Sequence, residues 1–85
     1  ASPQEEYEAI GENTFQVEGG MSIDETREEL GIDLPSGDFE TIAGFVLDVL
    51  GHIPAQGEHF EYGNLKIEIT NMKDLKIEAV KLTKT

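Results

Sequence analysis

Cysteine does not occur in these 85 residues, which removes disulfide scaffolds, thiolate metal sites and cysteine nucleophiles together. A domain this small that stands without disulfides fits a reducing interior. Long apolar runs are missing as well. The longest, Ile42 to Leu50, is interrupted by Gly44 and Asp48 and falls far short of the roughly 20 residues a membrane-spanning helix needs. The start, ASPQEEYEAIGEN, has neither the basic opening nor the apolar stretch of a signal peptide, and its missing initiator methionine points to an excised or processed fragment.

Basic residues are scarce and unevenly placed. Residues 1–63 carry 15 acids against Arg27 alone, a charge of −14, whereas residues 64–85 carry five lysines against three acids, +2; together they give the net −12. Nucleic acid is therefore not expected as a partner, because binding it depends on neutralising phosphates with a basic surface. An anionic membrane surface would be repelled for the same reason. A solvated cytoplasmic module fits the acidity, and such a surface attracts cations diffusely.

Internal repeats, low-complexity tracts and phosphate-cradling loops are absent too. Neither G-x-G-x-x-G nor G-x-x-x-x-G-K-[ST] occurs, so Gly19-Gly20 and Gly31 read as turn and cap residues. What is present is a clear alternation of periodicities. Eighty-five residues suffice for one domain with one core, burying roughly 60–65 per cent of the unfolded chain's surface, which leaves little room for an elaborate internal active site.

Residues 1–12 are polar, acidic and weakly patterned and read as a linker or tail, leaving 13–85 as the domain. Thr14–Glu18 places Phe15 and Val17 on one face, a short strand closed by the Gly19-Gly20 turn. Ser22 and Glu25 have the spacing of a capping box, in which each side chain satisfies the other residue's backbone N–H. A helix is thus predicted from about Ile23 to Leu30, ended by Gly31. Ile32 and Leu34 are apolar anchors in the connector that follows. A second helix is expected from Asp38, as its cap, to Leu50, with Phe39, Ile42, Ala43, Val46, Val49 and Leu50 on its buried face. Gly44 within it costs about 1 kcal/mol relative to alanine, a cost that close approach to a neighbouring helix or sheet would offset. Gly51 ends this helix and Pro54 keeps it ended.

Beyond Gly57 the period becomes alternating. His59–Tyr62, Leu65–Met72 and Leu75–Leu82 read as an antiparallel meander joined through Gly63-Asn64 and Lys73-Asp74, with Leu65, Ile67, Ile69 and Met72 inward and Lys66, Glu68 and Thr70 outward. In the last strand Leu75, Ile77 and Ala79 share one parity and Val80 and Leu82 the other, which predicts a bulge or a strand buried on both faces near its end. The expected fold class is α+β: a four-stranded antiparallel sheet with two helices packed on it, in the order strand, helix, helix, strand, strand, strand.

Residues with chemical potential are few. His52 and His59 lie seven apart on different elements, and nothing in that spacing makes them converge on a metal; a helix C-terminus explains His52. Asp24, Glu25, Glu28, Glu29 and Asp33 cluster around the first helix and offer oxygen ligands suited to magnesium or calcium, yet they lack the alternating ligands of a calcium loop and read as a solvated face. Ser2, Ser22 and Ser36 have no histidine nearby in sequence to activate them. No catalytic, cofactor-binding or metal-ligating residue is assigned, and no cofactor is expected.

The ordered set of motifs carries a family resemblance. M-S-I-D-E (Met21–Glu25), G-I-D-L-P (Gly31–Pro35), T-I-A-G-F-V-L-D-V-L-G-H-I-P (Thr41–Pro54), G-E-H-F-E-Y-G (Gly57–Gly63) and a final I-E-A-V strand resemble the CorC/HlyC transporter-associated domain over about residues 14–83. One departure is His52, where such domains often carry arginine. The resemblance implies the C-terminal cytoplasmic module of a membrane protein related to hemolysin-like and magnesium and cobalt efflux proteins, following a membrane domain and a CBS pair. It implies a fold similar to a subdomain of FAD-binding enzymes of the vanillyl-alcohol-oxidase type, which is a weak warrant for flavin because function belongs to sites and not folds. The implied role is non-catalytic: modulation of ion transport through contacts with the CBS domains and membrane domain of the same parent, or with a homodimer partner, at the cytoplasmic face of the membrane. Alternatives are weak, nonspecific divalent-cation sensing and a flavin-binding-like subdomain.

Overall fold

The computed structural model describes residues 6–85. The elements are β1 (Tyr7–Gly11), β2 (Thr14–Glu18), α1 (Ile23–Leu30), α2 (Ile42–Leu50), β3 (His59–Tyr62), β4 (Leu65–Lys73) and β5 (Lys76–Lys84). The strands form one antiparallel sheet in the order β1-β2-β5-β4-β3. The class is α+β as expected, but the sheet has five strands and not four. The added strand, β1, comes from the segment read as a tail. It pairs Tyr7 with Val17 and Ala9 with Phe15, while its side chains from Glu8 to Gly11 are exposed and give the sequence no apolar period. The rest of that tail, residues 1–5, lies outside the described residues.

Each N-terminal cap is a short side chain that meets an otherwise unpaired helical N–H. At α1, Ser22 Oγ accepts the Glu25 N–H at 3.0 Å. The reciprocal half of the capping box does not form as expected: the Glu25 carboxylate accepts the Ser22 hydroxyl at 3.3 Å instead. Helix α2 begins four residues later than Asp38, because Thr41 is its cap and accepts the Gly44 N–H at 3.2 Å. Residues 40–42 are committed elsewhere: Ile23 N–H donates to the Glu40 carbonyl and Ile42 N–H to the Met21 carbonyl, both at 2.9 Å. The two caps, Ser22 and Thr41, therefore sit opposite one another in a small antiparallel bridge from which both helices start.

The core lies between the helices and one sheet face. Ile23, Leu30, Ile42, Phe45 and Val46 from the helices meet Val17, Leu65, Ile67, Ile69, Ile77, Val80 and Leu82 from the strands, with Met21 and both connector anchors, Ile32 and Leu34. Val49, expected inside, is 38% exposed, and Phe45 takes the buried position, contacting Phe39 and Tyr62 edge-on at 5.4 and 5.2 Å between ring centroids. Gly44 does approach something closely, though not a helix or the sheet: a Cβ there would lie 3.1 Å from the Cβ of Phe39 in the preceding connector.

The parity change in the last strand is a bulge. Ile69 pairs with Val80, Asn71 with Ala79 and Met72 with Ile77, so Thr70 is extra on β4 and Glu78 is extra on β5. The two irregularities offset each other, turning Met72 back toward the core alongside Ile77. The final hairpin turns one residue later than expected, at Asp74-Leu75. Asp74 has φ 56° and Leu75, expected inward, is 73% exposed.

Candidate functional site

The most organised polar group outside the secondary structure sits on the connector from α2 to β3. Helix α2 ends at Gly51, φ 73°, and its last turn carries no basic residue, so the next side chain, His52, is placed against its C-terminal carbonyls. His52 Nδ1 lies 3.1 Å from the Leu50 carbonyl oxygen and Nε2 lies 2.7 Å from Glu58 Oε2. The other oxygen of Glu58 accepts the Ala55 N–H at 3.1 Å. The hydrogen bond that the ring donates to the Glu58 carboxylate holds His52 above its ordinary 6.5. The Ala55 N–H, and then His52, hold Glu58 below its ordinary 4.5. Glu58 was not singled out in the sequence; the signal was its place six residues after His52, across the Pro54–Gly57 turn.

The histidines do not converge. His59 begins β3, opposite Glu68 of β4, and is exposed, whereas His52 is bound to Glu58 and Leu50. Among the described residues, no group of three or more histidines and carboxylates is arranged to hold a metal ion.

The carboxylates around α1 are dispersed in use. Asp24 pairs with Arg27 at 3.0 Å, Glu25 meets Ser22, and Glu29 accepts the Tyr7 hydroxyl at 3.2 Å. Glu28 and Asp33 are exposed. Ser22 is a cap, Ser36 is exposed on the connector, and Ser2 lies outside the described residues. Gly31 is the left-handed C-cap of α1, at φ 64°. Gly19 fills a close packing point: its N–H donates to the Glu78 carbonyl and its carbonyl accepts the Ala43 N–H, each at 2.9 Å.

The sheet face away from the helices is polar, with a shallow depression bounded by His59, Glu61, Lys66, Glu68, Lys81 and Thr83. Its charges are interleaved and Lys81 pairs with Glu68 at 3.2 Å, so the depression favours neither an anion nor a cation. Gln16 reaches across β5 to donate to Thr70 at 2.7 Å. Among the described residues every buried side-chain nitrogen or oxygen has a hydrogen-bond partner, so the buried polar groups are committed to the fold.

The profile of the CorC/HlyC transporter-associated domain matches residues 8–85. The chain belongs to this family. Among relatives, the polyamine export protein of Salmonella typhimurium is 32% identical over 83 residues, which are 95% of this chain and 19% of that protein. The chain thus spans about a fifth of the curated relatives it matches first. Among solved structures, a hemolysin domain from Enterococcus faecalis superposes with a TM-score of 0.85 at 33% identity, covering 94% of this chain and 98% of that one. A CorC/HlyC transporter-associated domain from a Xylella fastidiosa hemolysin, solved in complex with Mg2+ and Mn2+, gives 0.82 at 27% identity over 95% and 99% of the two chains. The transporter-associated domain is not a known catalytic family, and no helix among the described residues is long and apolar enough to cross a membrane.

Proposed function

We propose that this transporter-associated domain is a non-catalytic regulatory module of a larger membrane protein that exports cations. It acts by docking on the CBS and membrane domains of its own parent, or on a second copy of itself, at the cytoplasmic face. The observation that carries this reading is the match of residues 8–85 to a family named for its association with transporters. His52, Ser22, Asp24, Glu25 and Glu29 make hydrogen bonds or ion pairs within the domain, and His59, Glu28 and Asp33 are exposed, which supports a role through surface contact. The polyamines of the Salmonella relative and the magnesium and cobalt of a Vibrio cholerae efflux relative are all cations, which supports a cation as the exported solute.

A domain biases its parent only through contacts that differ between the parent's states. Hydrogen exchange of the full-length parent, with and without the exported cation, tests this against the isolated chain. Expected is a contiguous surface of this domain that is protected in the parent and changes its protection with the cation. Identical exchange in all three samples would overturn the docking reading.

Direct cation sensing is the second reading, favoured by −14 on residues 1–63 and by the Mg2+ and Mn2+ bound to the Xylella domain. Exposed charges beyond a Debye length of about 8 Å are screened at physiological salt, so we expect weak, salt-sensitive and spread-out binding. A stoichiometric micromolar isotherm for magnesium at physiological salt would promote sensing over docking. A flavin-binding-like role has no glycine-rich phosphate loop to carry it.

A further inference from the structure

Both ring nitrogens of His52 face acceptors: the Leu50 carbonyl at 3.1 Å and the Glu58 carboxylate at 2.7 Å. A neutral imidazole has one N–H and satisfies one of these; an imidazolium has two and satisfies both. The complete arrangement therefore requires a proton. It also spans the connector, since Leu50 ends α2 and Glu58 directly precedes β3.

Other bonds converge on the same stretch. Glu58 takes the Ala55 N–H on its carboxylate and returns its own N–H to the Ala55 carbonyl at 3.1 Å. Gln56 Oε1 accepts the Met72 N–H at 3.0 Å, next to the β4 bulge, and Gly57 N–H donates to the Ile69 carbonyl at 2.7 Å. The Ile69 N–H also donates to the Glu58 carbonyl at 2.8 Å and Pro54 is buried, so the loop is anchored on β4 and Glu58 is a fixed partner for His52.

We propose that His52 and Glu58 form a proton-operated clasp on the 51–58 connector, closed by the imidazolium and released at the Leu50 end when the proton is lost, because the single N–H of the neutral ring stays with the nearer, charged carboxylate. This goes beyond the regulatory reading by giving the domain a built-in response to pH. Among the described residues, Glu58 is the charged side chain set against His52, and the Leu50 carbonyl is its other polar neighbour. Val49 at the end of α2 and Ile53 in the connector flank the clasp in sequence and are 38% and 49% exposed.

The pH window follows from the two shifts. The His52 contribution is complete below its ordinary 6.5 and is lost as pH rises through its raised folded value. The Glu58 contribution is complete above its ordinary 4.5 and is lost as pH falls through its lowered folded value. The clasp is most fully closed between 4.5 and 6.5.

Nuclear magnetic resonance on the 85-residue chain from about pH 5 to about pH 9 provides the test, reading the His52 ring nitrogens and the Leu50 carbonyl carbon. Expected is a His52 midpoint above 6.5, with Nδ1 losing its proton, Nε2 keeping its own, and the Leu50 carbonyl carbon shifting with that same midpoint. Glu58→Gln keeps an acceptor for Ala55 but removes the charge, and should lower the His52 midpoint while core methyl shifts stay fixed. His52→Arg supplies a permanent cation with several donors and should leave the Leu50 carbonyl shift flat with pH. A Leu50 carbonyl shift that stays flat while His52 titrates, or that moves equally in His52→Arg, overturns the clasp.

Discussion

Two glycines separate backbone crowding from side-chain crowding. A Cβ on Gly19 would overlap the Ile77 carbonyl oxygen, which is anchored in the β5 ladder and cannot rotate away. A Cβ on Gly44 would meet the Cβ of Phe39 at 3.1 Å, a contact relieved if the connector yields by a few tenths of an ångström. Gly19→Ala should therefore destabilise at least as much as typical overpacking, about 1–3 kcal/mol. Gly44→Ala gains about 1 kcal/mol of helix propensity against the Phe39 contact and should stay within about 1 kcal/mol of the unsubstituted chain. Gly44→Val adds two more methyl groups at the same place and should cost about 1–3 kcal/mol. Denaturant midpoints decide: a Gly19→Ala chain as stable as the unsubstituted one would show that the β2–α1 turn is not tightly packed on β5. The sequence marked Gly44 as costly because it interrupts a helical period, whereas Gly19 passed as an ordinary turn residue because its crowding comes from a strand nearly sixty residues later.

At the scale of elements, the start of α2 is the sharpest test of how caps are chosen. Asp38 and Thr41 are both good capping residues, and the apolar period at Phe39 favoured the earlier one. The Ser22–Thr41 bridge decides otherwise, because pairing residues 21–23 with 40–42 holds the chain extended up to Thr41. Thr41→Ala should cost about 1 kcal/mol, while Asp38→Ala should change stability by no more than about 0.5 kcal/mol. Equal losses from the two, measured by thermal or chemical unfolding, would return the cap to Asp38. Strand β1 was illegible for a related reason: four of its five residues are exposed, and its strand character comes from pairing with β2. Removing residues 1–12 should lower the thermal midpoint by stripping β2 of its outer neighbour and Glu29 of the Tyr7 hydroxyl. An unchanged midpoint would make β1 a passive attachment. The paired bulge was legible, since the apolar parity switch from Ile77 to Val80 is written in the residues themselves. Its partner at Thr70 was visible only as the misplaced parity of Met72.

Over the whole molecule, the last strand lies at the centre of the sheet, so β2 and β4 can join only after β5 is in place between them. The fold is thereby tied to its far end, and little of it should persist in fragments that lack residues 76–84. The polar sheet face interleaves lysines and carboxylates, and the surplus of acids lies on the residues before 64. The His52–Glu58 link was not legible in the sequence, because it depends on how the Pro54–Gly57 turn folds back. On the proposed reading, the domain contributes contact to a longer protein. The most direct measurement deletes residues 7–85 from the full-length parent and compares cation export in membranes at matched protein abundance, since a destabilised truncation would mimic lost regulation. The regulatory reading predicts intact membrane insertion with altered flux, or altered dependence of flux on its regulators. Unchanged flux, ion dependence and response to CBS ligands would contradict it and leave the domain a structural appendage.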